Sequence, residues 1–104
     1  QVRLADEAAK GGVDTGELPG LVRAVALLPR LRLRGLMCIP PEETQPERQH
    51  GWFRELRRLL EALNGEGAAL DTLSMGMSGD FEAAIEEGAT MVRVGTALFG
   101  PRPP

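Results

Sequence analysis

The sequence contains no tyrosine, one tryptophan, one histidine (His50), one lysine (Lys10) and one cysteine, Cys38. A single cysteine excludes an internal disulfide and fits a reducing compartment. No apolar run approaches the roughly 20 residues that a membrane-spanning helix needs. No stretch has the pattern of a secretory signal. An excess of positive charge is missing too: 12 Lys and Arg stand against 15 Asp and Glu, for a net charge of −3. The arginines are spread along helical stretches rather than gathered in a patch, which argues against a nucleic-acid or anionic-membrane partner. No His, Cys, Asp or Glu spacing suits a metal. The expectation that fits these absences is a cytoplasmic protein with neither a membrane nor a nucleic-acid partner.

What is present is a globular composition, 42% hydrophobic and 26% charged over 104 residues. That length allows at most one domain with a modest core. The chain opens on Gln-Val-Arg-Leu, which reads as the inside of a structural element, so the expectation is a partial domain of a longer protein. Residues 1–5 read as the end of a strand and residues 6–15 as a glycine-bearing turn. Asp14 or Thr15 is the expected N-cap of a helix with Pro19 near its start. Leu18, Leu21, Val22, Val25 and Leu28 recur at helical spacing until Pro29. Residues 33–39 read as a strand ended by Pro40-Pro41, followed by a polar loop to Pro46. The clearest helix covers 47–63, with Trp52, Phe53, Leu56, Leu59, Leu60 and Leu63 on one face and Arg54, Glu55, Arg57, Arg58 and Glu61 on the other. Asn64-Gly65 is its expected left-handed end. A strand over 70–75 leads into the loop 76–79. Asp80 is the expected N-cap of an acidic helix that turns Phe81, Ala84 and Ile85 inward and ends at Gly88. Residues 90–94 form a last strand, and Gly95-Thr96 open a short apolar segment ending at Gly100-Pro101.

Strands and helices alternate with short connections, which implies parallel strands joined by crossovers. Strands near 1–5, 33–38, 70–75 and 90–94 should be neighbours in that order. Either the sheet is open and doubly wound, or the chain is the second half of a (β/α)8 barrel. Four strands and a start inside an element favour the half-barrel.

Two strand ends carry chemistry. Glycines at 76, 79 and 95 let backbone approach an anion closely, and Ser78 and Thr96 add hydroxyl donors. The helix starts that follow aim N–H groups the same way. In a barrel, loops after the seventh and eighth strands commonly hold phosphate. The same glycines also suit two tight turns with no ligand. Arg93 alternates with Val92 and Val94 on an apolar strand, where burial without a partner is costly. It is either salt-bridged to a neighbouring strand or aimed into a ligand pocket. The other polar positions have plainer readings. His50 reads as solvent-exposed, Cys38 as a small core hydrophobe, and Met37, Met75, Met77 and Met91 as packing residues near the barrel mouth. Asp80 and Glu82 fit helix N-terminal electrostatics better than an acid/base pair.

The stretch LSMGMSGDFEAAIEEGATMVRVGTALFG, with RLRLRGLMCIP and QVRLADEAAKGG before it, closely resembles the pyridoxal phosphate homeostasis protein family, the YggS/PROSC-like group. The resemblance runs over essentially the whole chain. It implies an α/β fold: residues 1–104 as a partial domain, about strands 5 to 8 of a TIM-type barrel with parallel strands (PLP fold type III-like), akin to the N-terminal barrel of alanine racemase. It implies binding of pyridoxal 5'-phosphate through a Schiff base to a lysine on the first strand, in an N-terminal half outside these residues. Ser78, Gly95 and Thr96, with backbone near Met77, would hold the phosphate, and Arg93 would face the pyridine nitrogen. An arginine does not readily yield a proton, so the ring nitrogen stays unprotonated and the ring is a weaker electron sink. The resemblance therefore implies cofactor carriage, vitamin B6 homeostasis and amino/keto acid balance without robust catalysis, with PLP-dependent apoenzymes as possible recipients. Lys10, in the loop after the fifth strand, is not assigned the Schiff-base role. Arg3 stands where the family usually carries asparagine. One alternative is a racemase-like enzyme, which needs a tyrosine as second base. Another is a barrel for a different phosphorylated metabolite, which leaves Arg93 without a purpose.

Overall fold

A computed structural model describes residues 1–5 and 11–103, so residues 6–10 of the expected turn over 6–15, including Lys10, lie outside the described residues. The order of elements is β1 (Val2–Arg3), β2 (Val13–Asp14), α1 (Leu18–Ala26), β3 (Gly35–Met37), α2 (Pro46–Gly65), β4 (Thr72–Met77), α3 (Phe81–Glu86), β5 (Met91–Arg93) and α4 (Thr96–Phe99). The protein is α/β, and every strand pairing described is parallel. β3, β4 and β5 form a three-stranded sheet in that order, as the alternation of elements implies.

The N-terminal strand departs from expectation. β1 pairs with β2, a strand that hydrophobic periodicity does not reveal, instead of continuing the sheet beside β3. Gly12 (φ +112°) returns the chain to β1, and the Val13 N–H then donates to the Gln1 carbonyl at 2.9 Å. Asp14 is thereby drawn into the strand, and its carboxylate accepts from the Gly16 N–H at 3.2 Å in a local turn. Neither Asp14 nor Thr15 caps α1; Glu17 holds that position without a side-chain bond, and proline sits in the first turn, where its missing N–H costs nothing.

α2 is the scaffold's main packing element. Its apolar spacing buries Phe53, Leu56 and Leu63 against Leu36 and Cys38 near β3, Leu73 and Met75 of β4, and Ala83 and Ala84 of α3. It runs through Gly65, two residues beyond the expected end, because Asn64 serves a different purpose. The Asn64 amide donates to the Leu70 carbonyl at 2.9 Å and its Oδ1 accepts from the Leu70 N–H at 2.6 Å. That closes the turn into β4, within which Gly67 (φ +99°) and Ala69 (φ +57°) take positive φ. At the entrance to the sheet, Arg34 grips Asp71 with two bonds of 3.0 and 2.8 Å. This pair, aided by the Thr72 hydroxyl, holds the Asp71 carboxyl at about 2.

α3 lies so close to β4 that a Cβ on Gly76 would meet the Ala84 methyl at 2.7 Å. Small residues are what the contact admits, so the helix turns Ala83 and Ala84 inward. Ile85, expected inside, is 54% exposed. Gly88 (φ +101°) ends the element as expected. Leu21 and Leu28 of the α1 segment are exposed, as are Met77 and Met91, which were expected to pack; Met75 is fully buried. Leu98 and Phe99 of α4 are almost bare.

Candidate functional site

Parallel pairing brings the C-terminal ends of β3, β4 and β5 to one end of the sheet, and the candidate residues follow from two of them. Near the end of β4, Gly76 (φ +104°) bends the chain. The Asp80 carboxylate then accepts from the Met77 N–H at 2.7 Å, and the Asp80 N–H donates to the Met77 carbonyl at 3.1 Å. Asp80 thus stands at the N-cap position of α3 but closes the loop before it, making no side-chain cap bond. The Met77 N–H is already used, which leaves Ser78 as the loop's adaptable group.

Ser78 joins the two loops. Its Oγ accepts from the Ala97 N–H at 2.8 Å, tying the end of β4 to the start of α4. Gly95 precedes that helix and its carbonyl accepts from the Leu98 and Phe99 amides. Thr96 opens the helix and is exposed. A serine oxygen accepting one bond keeps its own proton free to donate, so Ser78 can hold the loops together and still offer a hydrogen bond outward.

Arg93 ends β5, in register with Met77. Its Nη2 donates to the Cys38 carbonyl at 2.8 Å. Its Nε is buried with no partner among the described residues. Among the described residues its bonded partner is therefore a neutral carbonyl and not a carboxylate, so the salt-bridge alternative finds no support there. Cys38 is 1% exposed, and burial pushes its thiol up to about 12. It is an inert core residue, as expected, whose backbone rather than sulfur faces the site.

An open cleft of about 360 Å³ adjoins the β4–α3 loop, with Thr44, Gln49, His50, Ser78, Asp80 and Glu86 among its lining residues. Here the expectation for His50 fails. Its side chain is 24% exposed, with Nδ1 2.8 Å from Glu87 and Nε2 3.3 Å from Glu86. Arg54 and Arg57 also reach Glu87, each at 3.2 Å. The sequence signal was His50, Arg54 and Arg57 at helical spacing, one basic stripe able to meet the Glu86-Glu87 pair. Hydrogen bonding from His50, then from Arg54, holds the Glu87 carboxyl below the usual glutamate range against the opposing effect of burial.

A group whose folded value is depressed contributes stability above its unfolded value and loses it as pH falls through the folded one. Melting temperature should therefore drop as pH falls from about 6 to about 3.5, across and below the ordinary glutamate value near ~4.3. Glu87→Gln should start lower at about pH 6 and show a flatter decline. An unchanged slope in the variant would assign the acid sensitivity to other carboxylates.

Parallel strand ends thus gather hydroxyls, glycines and one half-buried arginine at one end of an α/β sheet. The chain belongs to the alanine racemase N-terminal domain family, whose model matches residues 2–103. It is 57% identical over 102 residues to the pyridoxal phosphate homeostasis protein of Pseudomonas aeruginosa, covering 98% of this chain and 43% of that one. It is 50% identical to the protein of the same name from Escherichia coli K12, covering 98% and 44%. PipY of Synechococcus elongatus PCC7942, solved with PLP bound, superposes with a TM-score of 0.84 at 35% identity, over 94% of this chain and 46% of PipY. The chain thus spans less than half the length of these relatives. Among its described residues no helix is long and apolar enough to cross a membrane.

Proposed function

We propose that residues 1–104 are the C-terminal half of a (β/α)8 barrel, about strands 5 to 8, and that the complete barrel binds pyridoxal 5'-phosphate in a cytoplasmic homeostasis role without robust catalysis. The observation that carries the reading is Arg93: a buried Nε with no partner among the described residues, at the end of a strand, beside two loops already fastened by Ser78. A buried donor without an acceptor costs free energy, and an unprotonated ring nitrogen is an acceptor that would satisfy it. The residues present therefore fit the cofactor. When bound, pyridoxal phosphate supplies an electrophilic aldehyde and a conjugated ring. Arg93 keeps that ring's nitrogen unprotonated. The Ser78 hydroxyl and the backbone of Gly95 and Thr96 take the phosphate. The lysine that fixes the aldehyde belongs to the N-terminal half. Balance of amino and keto acids, and delivery to PLP-dependent apoenzymes, are the roles this weak electron sink suits. Spectrophotometric titration of the full-length protein with pyridoxal 5'-phosphate tests the reading; saturable binding is expected, and its absence overturns the proposal.

The half-barrel reading has its own test. Leu21, Leu28, Leu98 and Phe99 are exposed, and β3 and β5 form the edges of their sheet. Open edges and bare apolar surface promote association. Residues 1–104 expressed alone should bind a hydrophobic dye and self-associate. A monomer with a sharp, concentration-independent melt would contradict this.

A further inference from the structure

Resting on the proposed cofactor reading, we propose that Gln49 is a positioning residue that sets the conformation of the Ser78-Gly79 loop for phosphate. Gln49 lies in the first turn of α2, outside every motif that the sequence singled out. Its amide nitrogen carries two protons, and both are used. One goes to the Glu43 carbonyl at 2.6 Å, in the loop after β3; the other goes to the Gly79 carbonyl at 3.3 Å, in the loop after β4. The Glu43 end is itself fixed, because its carboxylate accepts from the Thr44 and Gln45 amides at 3.0 Å each. The Gly79 end then continues through Ser78 Oγ to the Ala97 N–H. Two side chains thus lace together the loops following three adjacent parallel strands.

Side-chain packing does not restrain Gly79 itself. Gly79 is exposed and has no atom within 4 Å of where a Cβ would stand. The Met77–Asp80 bonds close the turn, and the Gln49 bond fixes the peptide after Gly79 against the neighbouring loop. A carbonyl is an acceptor only and repels a phosphate oxygen that it faces. Keeping the Gly79 carbonyl engaged by Gln49 holds that acceptor in place and keeps Ser78 within reach of Ala97. A site gains affinity when such supporting bonds set its geometry in advance.

The test uses the full-length protein, with pyridoxal 5'-phosphate and phosphate-free pyridoxal as paired ligands. Gln49→Leu removes both donors without adding charge, and Gln49→Glu keeps the shape while losing the donors. Both variants should bind pyridoxal 5'-phosphate about tenfold more weakly and pyridoxal within about twofold of the parent. In the ligand-free protein, the Ala97 amide should exchange its hydrogen faster in both variants, a readout that does not require the cofactor. Equal losses for both ligands, or no loss, together with unchanged Ala97 exchange, would overturn the role of Gln49. Failure of the parent protein to bind pyridoxal 5'-phosphate would instead sink the cofactor reading, while the exchange result would still decide whether Gln49 holds the loop.

Discussion

Arg93→Gln is expected to weaken pyridoxal 5'-phosphate binding by about tenfold or more and to alter the absorbance of the bound cofactor, while the fold persists. A charge-assisted hydrogen bond contributes roughly 1.5–3 kcal/mol, and each ~1.4 kcal/mol is a factor of ten in affinity. The ligand-free protein should respond differently. Among the described residues its Arg93 bonds the Cys38 carbonyl and has one buried Nε without an acceptor. Glutamine removes that unpartnered donor, so loss of the carbonyl bond is offset by relief of an unsatisfied group. The ligand-free melt should move little, and the ligand-bound melt should fall. Equal drops in both melts, with unchanged affinity and spectrum, would reject the cofactor contact and leave Arg93 as scaffold.

Phe53→Ala is expected to have the largest effect on stability, roughly 3–5 kcal/mol, the range for emptying a fully buried aromatic position. Phe53 is 0% exposed at the centre of the α2 face that covers the sheet. The same core cluster holds Leu56 and Met75, both also 0% exposed. Methionine can adapt to part of the void, which places the expected value toward the lower end. Denaturant unfolding of the full-length protein should show a lower midpoint with little change in slope. A loss under ~1 kcal/mol would mean that the layer collapses onto the cavity, and that packing here is looser than the burial implies.

How far the fold could be read beforehand depended on the range of each interaction. The order of β3, β4 and β5 followed from apolar runs between glycines and prolines, and α2 from a stripe of residues at helical spacing. These are local patterns, repeated enough to outvote single residues. β2 was hidden because a two-residue strand has no periodicity, and its pairing depends on a turn at Gly12. The early end assigned to α2 failed because Asn64 bonds to Leu70, a partner that spacing does not announce. At the candidate site, glycines and hydroxyls after strands marked the two loops, and Arg93 stood out as one charge on an apolar strand. His50 and Gln49 did not, because their partners lie 37 and 30 residues away and only the packing of α2 brings them near. Ile85 was misplaced because helical spacing names a face but not how close that face can come, and Gly76 sets the distance.

The Arg93 anchor is a main-chain oxygen, and this shapes how the position opposite can evolve. Any residue at 38 offers the same carbonyl, so selection for the arginine's orientation places no demand on the cysteine side chain. What it does demand is the alignment of β3 with β4, where the Cys38 N–H continues the ladder to the Ser74 carbonyl at 3.2 Å. Substitutions at 38 that preserve volume should drift freely across descendants of this sequence. An insertion or deletion of one residue in β3 would turn the oxygen away and be eliminated. The arginine's heritage is thus carried by the length of a neighbouring strand and not by the identity of any residue in it.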